Sequence, residues 1–405
     1  MDTFPFDLDN TYESGGLPRR SRRLRDDPAD TVVHLVESIG PRAATGLHEA
    51  QAAAYLNGRL RRAGLDVSAE VFQARLQPGW DEVAITCMGL IGVVLGGWLA
   101  LPALLLFALA LAWAVWLVAP MAHPLLANEG QSQNVIGIRA IGSTTARWRL
   151  VMLAPLDSPP AVGPLVRLLT ARPRAPVAML LTMAALVVCG VVHWYTGHVG
   201  WWYVQWVPLV FALLLVSGQI MLLRAQASPG AANHAGALAV LLSAVEELAA
   251  MERVEMWAVG VGAATRSSDG VADLLRRYPF EQGSTLFVSL EGLGNGPLCY
   301  LTREGVLREH GADPLLLKLA AAADAADPLI DVEPRPFRSR TVLGHALHQA
   351  RRRVLTITCL DDNGHMVNAG SVNDAPAAID ASTLERAVRL VIGMMQQLDI
   401  LEDKP

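Results

Sequence analysis

The side chains that could bind a metal ion or move a proton are few and widely spaced in this 405-residue chain. Hydrolysis at a zinc centre needs three or four His or carboxylate ligands, and a further carboxylate that takes the proton from metal-bound water. His345 and His348 are three positions apart, so they would share one face of a helix. The other candidates for such a site are His234, Glu291, His365 and the pair Asp361-Asp362. Scattered surface histidines are the alternative reading, and it requires no site.

Signatures of other reactions are missing from the sequence. No G-x-S-x-G, Walker loop or G-x-G-x-x-G follows a strand-like run. The four cysteines have no C-x-x-C spacing, so neither a zinc knuckle nor a redox motif is indicated, and we expect buried free thiols. The net charge of −5 gives no indication of a nucleic-acid partner.

The apolar residues point to membrane segments. With 52% hydrophobic and 18% charged residues, the chain is too apolar for an ordinary soluble enzyme, and the excess lies in residues 83–120 and 176–224. Each block divides in two, the first near Gly96-Gly97 and the second within an aromatic stretch at residues 193–203. We therefore expect four transmembrane helices in two hairpins, each half of the first being about 17 residues or roughly 26 Å long. Helices of a globular core are the alternative.

The positions of the arginines predict the orientation. Neither hairpin tip carries Lys or Arg. The other flanks carry Arg75, Arg139, Arg147, Arg149, Arg167, Arg172, Arg174 and Arg224. Positive flanks favour the cytoplasmic side, so we expect an integral protein of a bacterial inner (plasma) membrane with its polar domain in the cytoplasm. No apolar stretch of a cleavable signal peptide begins the chain.

The N-terminal residues 1–27 are predicted to be a disordered tail with five arginines. Contact with anionic lipid headgroups and a solvated tail are both open. Residues 28–82, 121–175 and 225–405 together read as one discontinuous α/β domain, a mixed sheet with helices on both faces. Its strand-like runs are 66–73, 134–141, 148–156, 254–262, 284–294, 299–305 and 354–361. Its helical runs are 29–39, 46–63, 236–249, 312–325, 341–350 and 380–398.

Six segments of the polar domain, in a fixed order, carry a family resemblance. The opening is Ile39-Gly-Pro-Arg followed by an Ala-rich helix that ends at Gly64. The later ones are Pro155-Leu-Asp, Pro229-Gly-Ala-Ala-Asn-His-Ala-Gly, Gly262-Ala-Ala-Thr, Leu290-Glu-Gly-Leu-Gly and Gly370-Ser-Val-Asn-Asp-Ala-Pro. This order resembles the dinuclear-zinc aminopeptidases of the M28 peptidase type, and their membrane-embedded relatives most of all. The resemblance covers the polar domain almost end to end and implies a zinc-aminopeptidase-like fold.

The resemblance also implies which residues stand where that family binds and uses zinc. Pro155 stands for the first His ligand, Asn233 for the bridging carboxylate, Ala264 for the catalytic base, Thr265 for the ligand after it, Glu291 for an Asp ligand and Gly370 for the last His. Asp157, which orients the first His in the family, and Asp374 are retained. Of the ligand positions only Glu291 could still bind a metal, so no zinc site, catalytic residue or other cofactor is expected.

These substitutions predict a membrane-anchored pseudoenzyme that binds a protein, peptide or lipid partner, or acts as a scaffold, without hydrolysis. The former substrate cleft would be the default binding surface. Two alternatives stay open. One is a weak or repurposed zinc-dependent aminopeptidase or other hydrolase on relocated ligands, the only reading that would need zinc. The other is a structural subunit of a membrane complex, in which Gly89, Gly92, Gly96 and Gly97 allow close helix approach.

Overall fold

The computed structural model describes residues 26–76, 79–118, 125–141, 146–170, 174–248, 251–306 and 308–401, so nearly all of the predicted basic tail lies outside the description. The helices are α1 (Pro28–Val33), α2 (Leu47–Arg62), α3 (Trp80–Gly96), α4 (Ala100–Val118), α5 (Pro164–Thr170), α6 (Arg174–Thr196), α7 (Val199–Val204), α8 (Trp206–Arg224), α9 (Gly236–Glu247), α10 (Asp269–Arg277), α11 (Pro314–Ala326), α12 (Leu343–Gln349) and α13 (Ala381–Asp399). The strands are β1 (Asp66–Leu76), β2 (Asn128–Arg139), β3 (Trp148–Pro155), β4 (Val254–Val261), β5 (Thr285–Leu290), β6 (Leu298–Glu304), β7 (His310–Gly311), β8 (Glu333–Phe337) and β9 (Val354–Cys359).

Within the described ranges the nine strands form one mixed sheet in the order β1-β2-β4-β3-β5-β9-β6-β7, with β8 beside β6. The central strands β4, β3, β5 and β9 run parallel, and β1–β2, β2–β4, β9–β6 and β6–β7 are antiparallel pairs. β8 was not expected from the sequence because two of its five residues are proline. Proline removes a ladder donor and is tolerated at such a sheet margin.

Helices cover the sheet on both faces, and successive side chains of the central strands join the two cores in turn. In β3, Leu150 and Met152 join the core under α1, α2, α9, α11 and α13, whereas Val151 and Leu153 join the core under α10 and α12. Successive side chains of a strand point to opposite faces, so a strand buried on both sides reads as a continuous apolar run. The predicted α/β class, a mixed sheet with helices on both faces, is confirmed.

The apolar blocks form two helical hairpins, α3–α4 and α6–α8, and the two hairpins pack together as one bundle. Gly92 of α3 lies so close to α4 that a Cβ atom there would be 2.5 Å from Cε1 of Phe107. Gly89 faces Met183 and Leu186 of α6. These glycines therefore bring the chain's own helices together.

Three helical segments of the described residues are long and apolar enough to cross a membrane: 100–118, 174–196 and 199–224. Four had been expected. The fourth, α3, has 17 residues and carries Asp81 and Glu82 in its first turn, both of which are buried. Asp81 is fixed by the indole of Trp113 (2.9 Å) and the backbone N–H of Leu125 (3.0 Å). The start of α3 is thus a polar junction with the α/β domain.

The hairpins leave the α/β domain on the side of the sheet where one set of strand ends lies. β1 ends at Leu76 just before α3, and its partner in the ladder is Asn128, the first residue of β2 after α4. Because β4 is antiparallel to β2, the carboxyl end of β4, and with it those of β3, β5 and β9, lies on this side. We call this side the hairpin edge. The bundle therefore sits at the carboxyl ends of the parallel strands, where α/β sheets bind their ligands.

Candidate functional site

Several of the residues singled out by the sequence come together at the hairpin edge. Pro155 is the last residue of β3 and is paired with Val261, the last residue of β4. Thr265 lies in the turn after β4, and Asn233 in the helical turn that leads into α9. Pro155, Asp157, Asn233, His234, Ala264, Thr265 and Asp374 are called the motif centre below.

Asp157 is held by the turn after β4 that contains Ala264 and Thr265. Its Oδ1 accepts from the backbone N–H of Ala264 (3.0 Å), and its Oδ2 accepts from the N–H of Thr265 (2.9 Å) and from the Thr265 hydroxyl. Burial raises the pKa of Asp157, and these donors act in the opposite direction by favouring the carboxylate. Both oxygens of this carboxylate are therefore used to fix a turn.

The retained Asp374 has a similar role at the start of α9. Its two oxygens accept from the backbone N–H groups of Ala232 (2.7 Å) and Asn233 (3.2 Å). Burial raises the pKa of Asp374, while those hydrogen bonds lower it. The carboxylate thus satisfies N–H groups that a first helical turn leaves without internal partners.

Asn233 and His234 lie next to each other in the helical turn that leads into α9. Nδ2 of Asn233 is buried and has no hydrogen-bond partner among the described residues. Nδ1 of His234 contacts the carbonyl oxygen of Asp157, which can only accept, so Nδ1 carries the proton. Burial lowers the pKa of His234 to about 4, and the ring is therefore neutral at physiological pH.

A buried arginine supplies the positive charge of the motif centre. Arg42 is fully buried, and its guanidinium donates to the carbonyl oxygens of Leu35 (3.0 Å), Leu156 (3.1 Å) and Gly230 (3.2 Å). Burial lowers its pKa to about 10, and attraction to Asp157 and Asp374 opposes that shift. One guanidinium thus lies near both retained carboxylates.

The Glu291 carboxylate is bound by the first residues of α12. It accepts from the backbone N–H groups of Val342 (2.6 Å), Leu343 (2.7 Å) and Gly344 (3.2 Å), and from the Ser289 hydroxyl (2.8 Å). An anion is favoured at the positive end of a helix. The Glu291 carboxylate thus attaches the start of α12 to the end of β5.

Two motif positions offer no donor atom and little room for one. Pro155 has an alkyl ring, and Gly370 has no side chain. At Gly370 φ is +59°, and a Cβ would lie 3.1 Å from the carbonyl oxygen of Pro160. Its own carbonyl accepts from the N–H of Val162 (3.0 Å) and from Arg167 (3.3 Å). A histidine here would be strained and would meet the segment before α5.

Most of the motif centre is buried, and Thr265 is half-buried. Asp157 and Asp374 have no exposed surface, and Asn233 and His234 are at most 5% exposed. Gly236 follows them at a point where a Cβ would be 2.0 Å from the carbonyl oxygen of Leu293, so α9 touches the loop after β5 directly. The carboxylates of Asp157 and Asp374, the amide of Asn233 and the imidazole of His234 are thus buried within the protein.

The residues present do not fit a zinc centre. In the described part of the chain, no group of three or more His, Cys, Asp or Glu side chains could hold a metal ion. The candidate ligands occupy three separate places. His234 lies in the motif centre, His365 pairs with Asp361 at an exposed turn, and His345 and His348 pack with His310 beside Glu304.

Two buried acids were not singled out by the sequence. Glu49 of α2 accepts from Ser132 Oγ (2.8 Å) and from the N–H of Ala263 (2.5 Å), and burial with the nearby Asp157 raises its pKa to about 7. Glu304 accepts from Thr341 Oγ1 (2.5 Å), and burial raises its pKa to about 7 as well. The hydrogen-bond partners of both acids lie far away in the sequence. Near Glu49 itself, the only feature that the sequence offered was an acidic residue in the first turn of a helix.

Comparison with known proteins gives the fold. No family model and no curated protein sequence matches the chain. Among solved structures the chain is similar to a zinc aminopeptidase from Bacillus subtilis (12% identity, TM-score 0.56, covering 92% of this chain and 94% of that chain). It is also similar to a leucine aminopeptidase precursor from Bacteroides thetaiotaomicron (13%, 0.53, 91% and 96%).

A glutaminyl cyclase from Bacteroides thetaiotaomicron, solved with N-acetylhistamine bound, is a further similar structure (13% identity, TM-score 0.54, 91% and 96% covered). At such identities a likeness concerns the fold alone. The zinc-aminopeptidase-like fold expected from the order of the motifs is thereby confirmed.

Proposed function

We propose that this protein is a membrane-anchored pseudoenzyme: a zinc-aminopeptidase-like domain that binds or holds a protein, peptide or lipid partner without hydrolysing it. The observation that carries the proposal is the use of the remaining acids. Asp157, Glu291 and Asp374 each have both carboxylate oxygens committed to hydrogen bonds within the protein. They act as structural acceptors that join a turn and two helices to the sheet.

The charge balance of the motif centre supports the same proposal. A dinuclear zinc site concentrates acids around two dications, whereas here Asn233 is neutral, His234 is uncharged at physiological pH and Arg42 lies near the two retained acids. Removing a ligand from a metal site without such changes would leave buried charges unpaired, at a cost of several kcal/mol each. The substitutions therefore favour a centre that is stable without metal.

The membrane bundle supports anchoring as part of the function. Three described segments are apolar and long enough to cross a bilayer, and the bundle sits at the hairpin edge. Because Asp157, Asn233, His234 and Asp374 are buried, a partner would meet outer surfaces of the α/β domain or the bundle, which favours a scaffold over a cleft-binding receptor. We place the α/β domain on the cytoplasmic side of a bacterial plasma membrane because of the arginine-rich flanks.

The test is turnover. The full chain, reconstituted in lipid vesicles and supplied with zinc, is offered a broad panel of aminoacyl and peptide substrates. The proposal predicts no turnover above that of empty vesicles.

Variants decide whether any turnover that is found belongs to this protein. Activity abolished by His234→Ala or Glu291→Gln, but kept by Asp362→Asn at an exposed turn, would establish a hydrolase on relocated residues. That result would overturn the pseudoenzyme proposal.

A further inference from the structure

Helix α5 presents two different faces. Val166 is buried, and Leu169 packs into the helical bundle. A Cβ on Gly218 of α8 would be only 2.9 Å from Cβ of Leu169, so α5 lies directly against α8. On the other face Leu165 is 65% exposed and Leu168 is 63% exposed. A seven-residue helix thus pairs one packed face with two uncovered leucines.

The depth of α5 follows from its contact with α8. Gly218 precedes Arg224, the last residue of α8, by six positions, which is about 9 Å along a helix. Arg224 and Arg174, the first residue of α6, mark the charged ends of two candidate spans. Interfacial helices bury their apolar face to about 5–10 Å in the boundary between headgroups and acyl chains. The contact places α5 within that layer.

The surface around α5 is continuous with the outside of the bundle. Met221, on the same last turns of α8, is 58% exposed, and the outer faces of α6 and α8 carry many further exposed apolar side chains. A helix surface that is uncharged and apolar all round is suited to lipid. Leu165 and Leu168 extend this apolar surface along the bundle toward Arg174 and Arg224, at the charged ends of α6 and α8.

α5 and the segment before it also contact residues close in sequence to the motif centre. The N–H of Val162, just before the helix, donates to the Gly370 carbonyl (3.0 Å), and Arg167 donates to the same oxygen (3.3 Å). Pro160 forms an isolated bridge with Ala227, which lies between α8 and Asn233. Residues 159–170 therefore connect the motif centre to the bundle.

We propose that α5 is an interfacial helix whose Leu165 and Leu168 insert among lipid acyl chains. The bilayer surface, and not a second protein, would then cover this side of the motif centre. The proposal rests on the membrane anchoring in the function proposed above and adds the place where lipid meets the peptidase-like fold.

Spin labels on single cysteines can test this placement. Leu165→Cys and Leu168→Cys are made separately, each in a chain that also carries Cys87→Ala and Cys189→Ala. The remaining two cysteines are buried. Burial raises the pKa of Cys299 to about 12 and that of Cys359 to about 11, which keeps both thiols unreactive. The labelled full chain is reconstituted in vesicles of phosphatidylcholine and phosphatidylglycerol. Power saturation then compares collisions with oxygen, which partitions into lipid, and with a water-soluble nickel chelate.

Ile400 is the matched control because it is 67% exposed at the opposite end of the strands. It follows Asp399, whose carboxylate accepts from the N–H of Arg253 (2.8 Å) just before β4. β4 has eight residues and spans about 26 Å toward the hairpin edge. Labels at 165 and 168 should collide more with oxygen than with the chelate, and a label at Ile400→Cys should show the reverse order.

Two results would overturn the proposal. Labels at 165 and 168 that collide mainly with the chelate, as at position 400, would place the leucines in water. Labels protected from both reagents would mean that protein, such as a second copy of the chain, covers them. Either result leaves the pseudoenzyme proposal standing, whereas zinc-dependent turnover would remove the pseudoenzyme without changing the label depth.

Discussion

Asp157→Asn is the substitution that most sharply separates a structural acid from a remnant of catalysis. The amide has nearly the shape of the carboxylate, but one of its two acceptor atoms becomes a donor. The new NH2 group would then face the N–H of Ala264, or the N–H and hydroxyl of Thr265, so two donors would meet. At the same time Arg42 loses the attraction of a nearby buried charge.

The expected cost can be worked out from these contacts. A hydrogen bond to a charged group contributes about 1.5–3 kcal/mol, and breaking a buried charge pair costs about 3–5 kcal/mol. A loss of about 3–5 kcal/mol lowers the melting temperature of a domain of this size on the order of 10 °C. The assay is thermal unfolding of the full chain in mild detergent, followed by circular dichroism.

Asp362→Asn is the control, because Asp362 is exposed at a turn. It should leave the melting temperature within about 1 °C, as surface substitutions away from special features usually do. Equal melting temperatures for Asp157→Asn and the wild type would refute the structural role assigned to this carboxylate.

Three further predictions follow from the same geometry. Glu304→Gln should match wild-type stability near pH 5 but exceed it by about 3 kcal/mol near pH 8. Burial raises the pKa of Glu304 to about 7, so as pH rises from about 4.5 to 7 the unfolded acid is ionised while folding must return a proton to the buried one, and the wild type loses stability. Equal pH profiles in thermal melts would contradict this, and Glu309→Gln is the exposed control. Gly370→His should lower the free energy of unfolding by about 1–2 kcal/mol, because φ at this position is +59°. It should not raise the amount of bound zinc in elemental analysis; a gain of zinc would show that the other ligands remain. Arg42→Lys should destabilise the fold by about 3 kcal/mol or more, because one ammonium cannot reach three carbonyl groups and a buried charge is left short of acceptors; unchanged melting would show that Arg42 is not a structural cation.

The α/β frame could be predicted because its signals are local. Apolar strand runs such as residues 148–156 and 254–262, together with the order of the motifs, fix the central strands and the helix that follows Asn233. Short elements were missed, among them β8 and α10. β8 contains two prolines and forms by pairing with β6, not from its own propensity. α10 follows a turn-rich stretch, although its own residues alternate between apolar and charged at helical spacing.

The candidate site could be predicted only in its residue types. The sequence indicates that Pro155 and Gly370 cannot bind a metal, because that follows from their chemistry. It does not indicate where Glu291 points, since its partners in α12 lie about fifty residues later and depend on the fold. The same holds for Arg42, whose acceptors come from three separate segments. Buried polar groups take whichever partners the tertiary structure brings.

The packing of the hairpins was also beyond the sequence. Gly89 and Gly92 signalled close approach of helices but not the identity of the neighbours. In the fold these neighbours are α6 and α4 of the same chain. Small residues lower the closest distance between helices without selecting a partner, so intramolecular and intermolecular packing give the same pattern in the sequence.

The most direct test of the central claim is the zinc content of the full chain, purified in mild detergent after expression with added zinc and measured by elemental mass spectrometry. The account predicts clearly substoichiometric zinc, unchanged by Asp157→Asn or Glu291→Gln, because the acids at the motif centre are committed to the protein's own N–H groups. One or two zinc ions per chain that disappear with either substitution would contradict it.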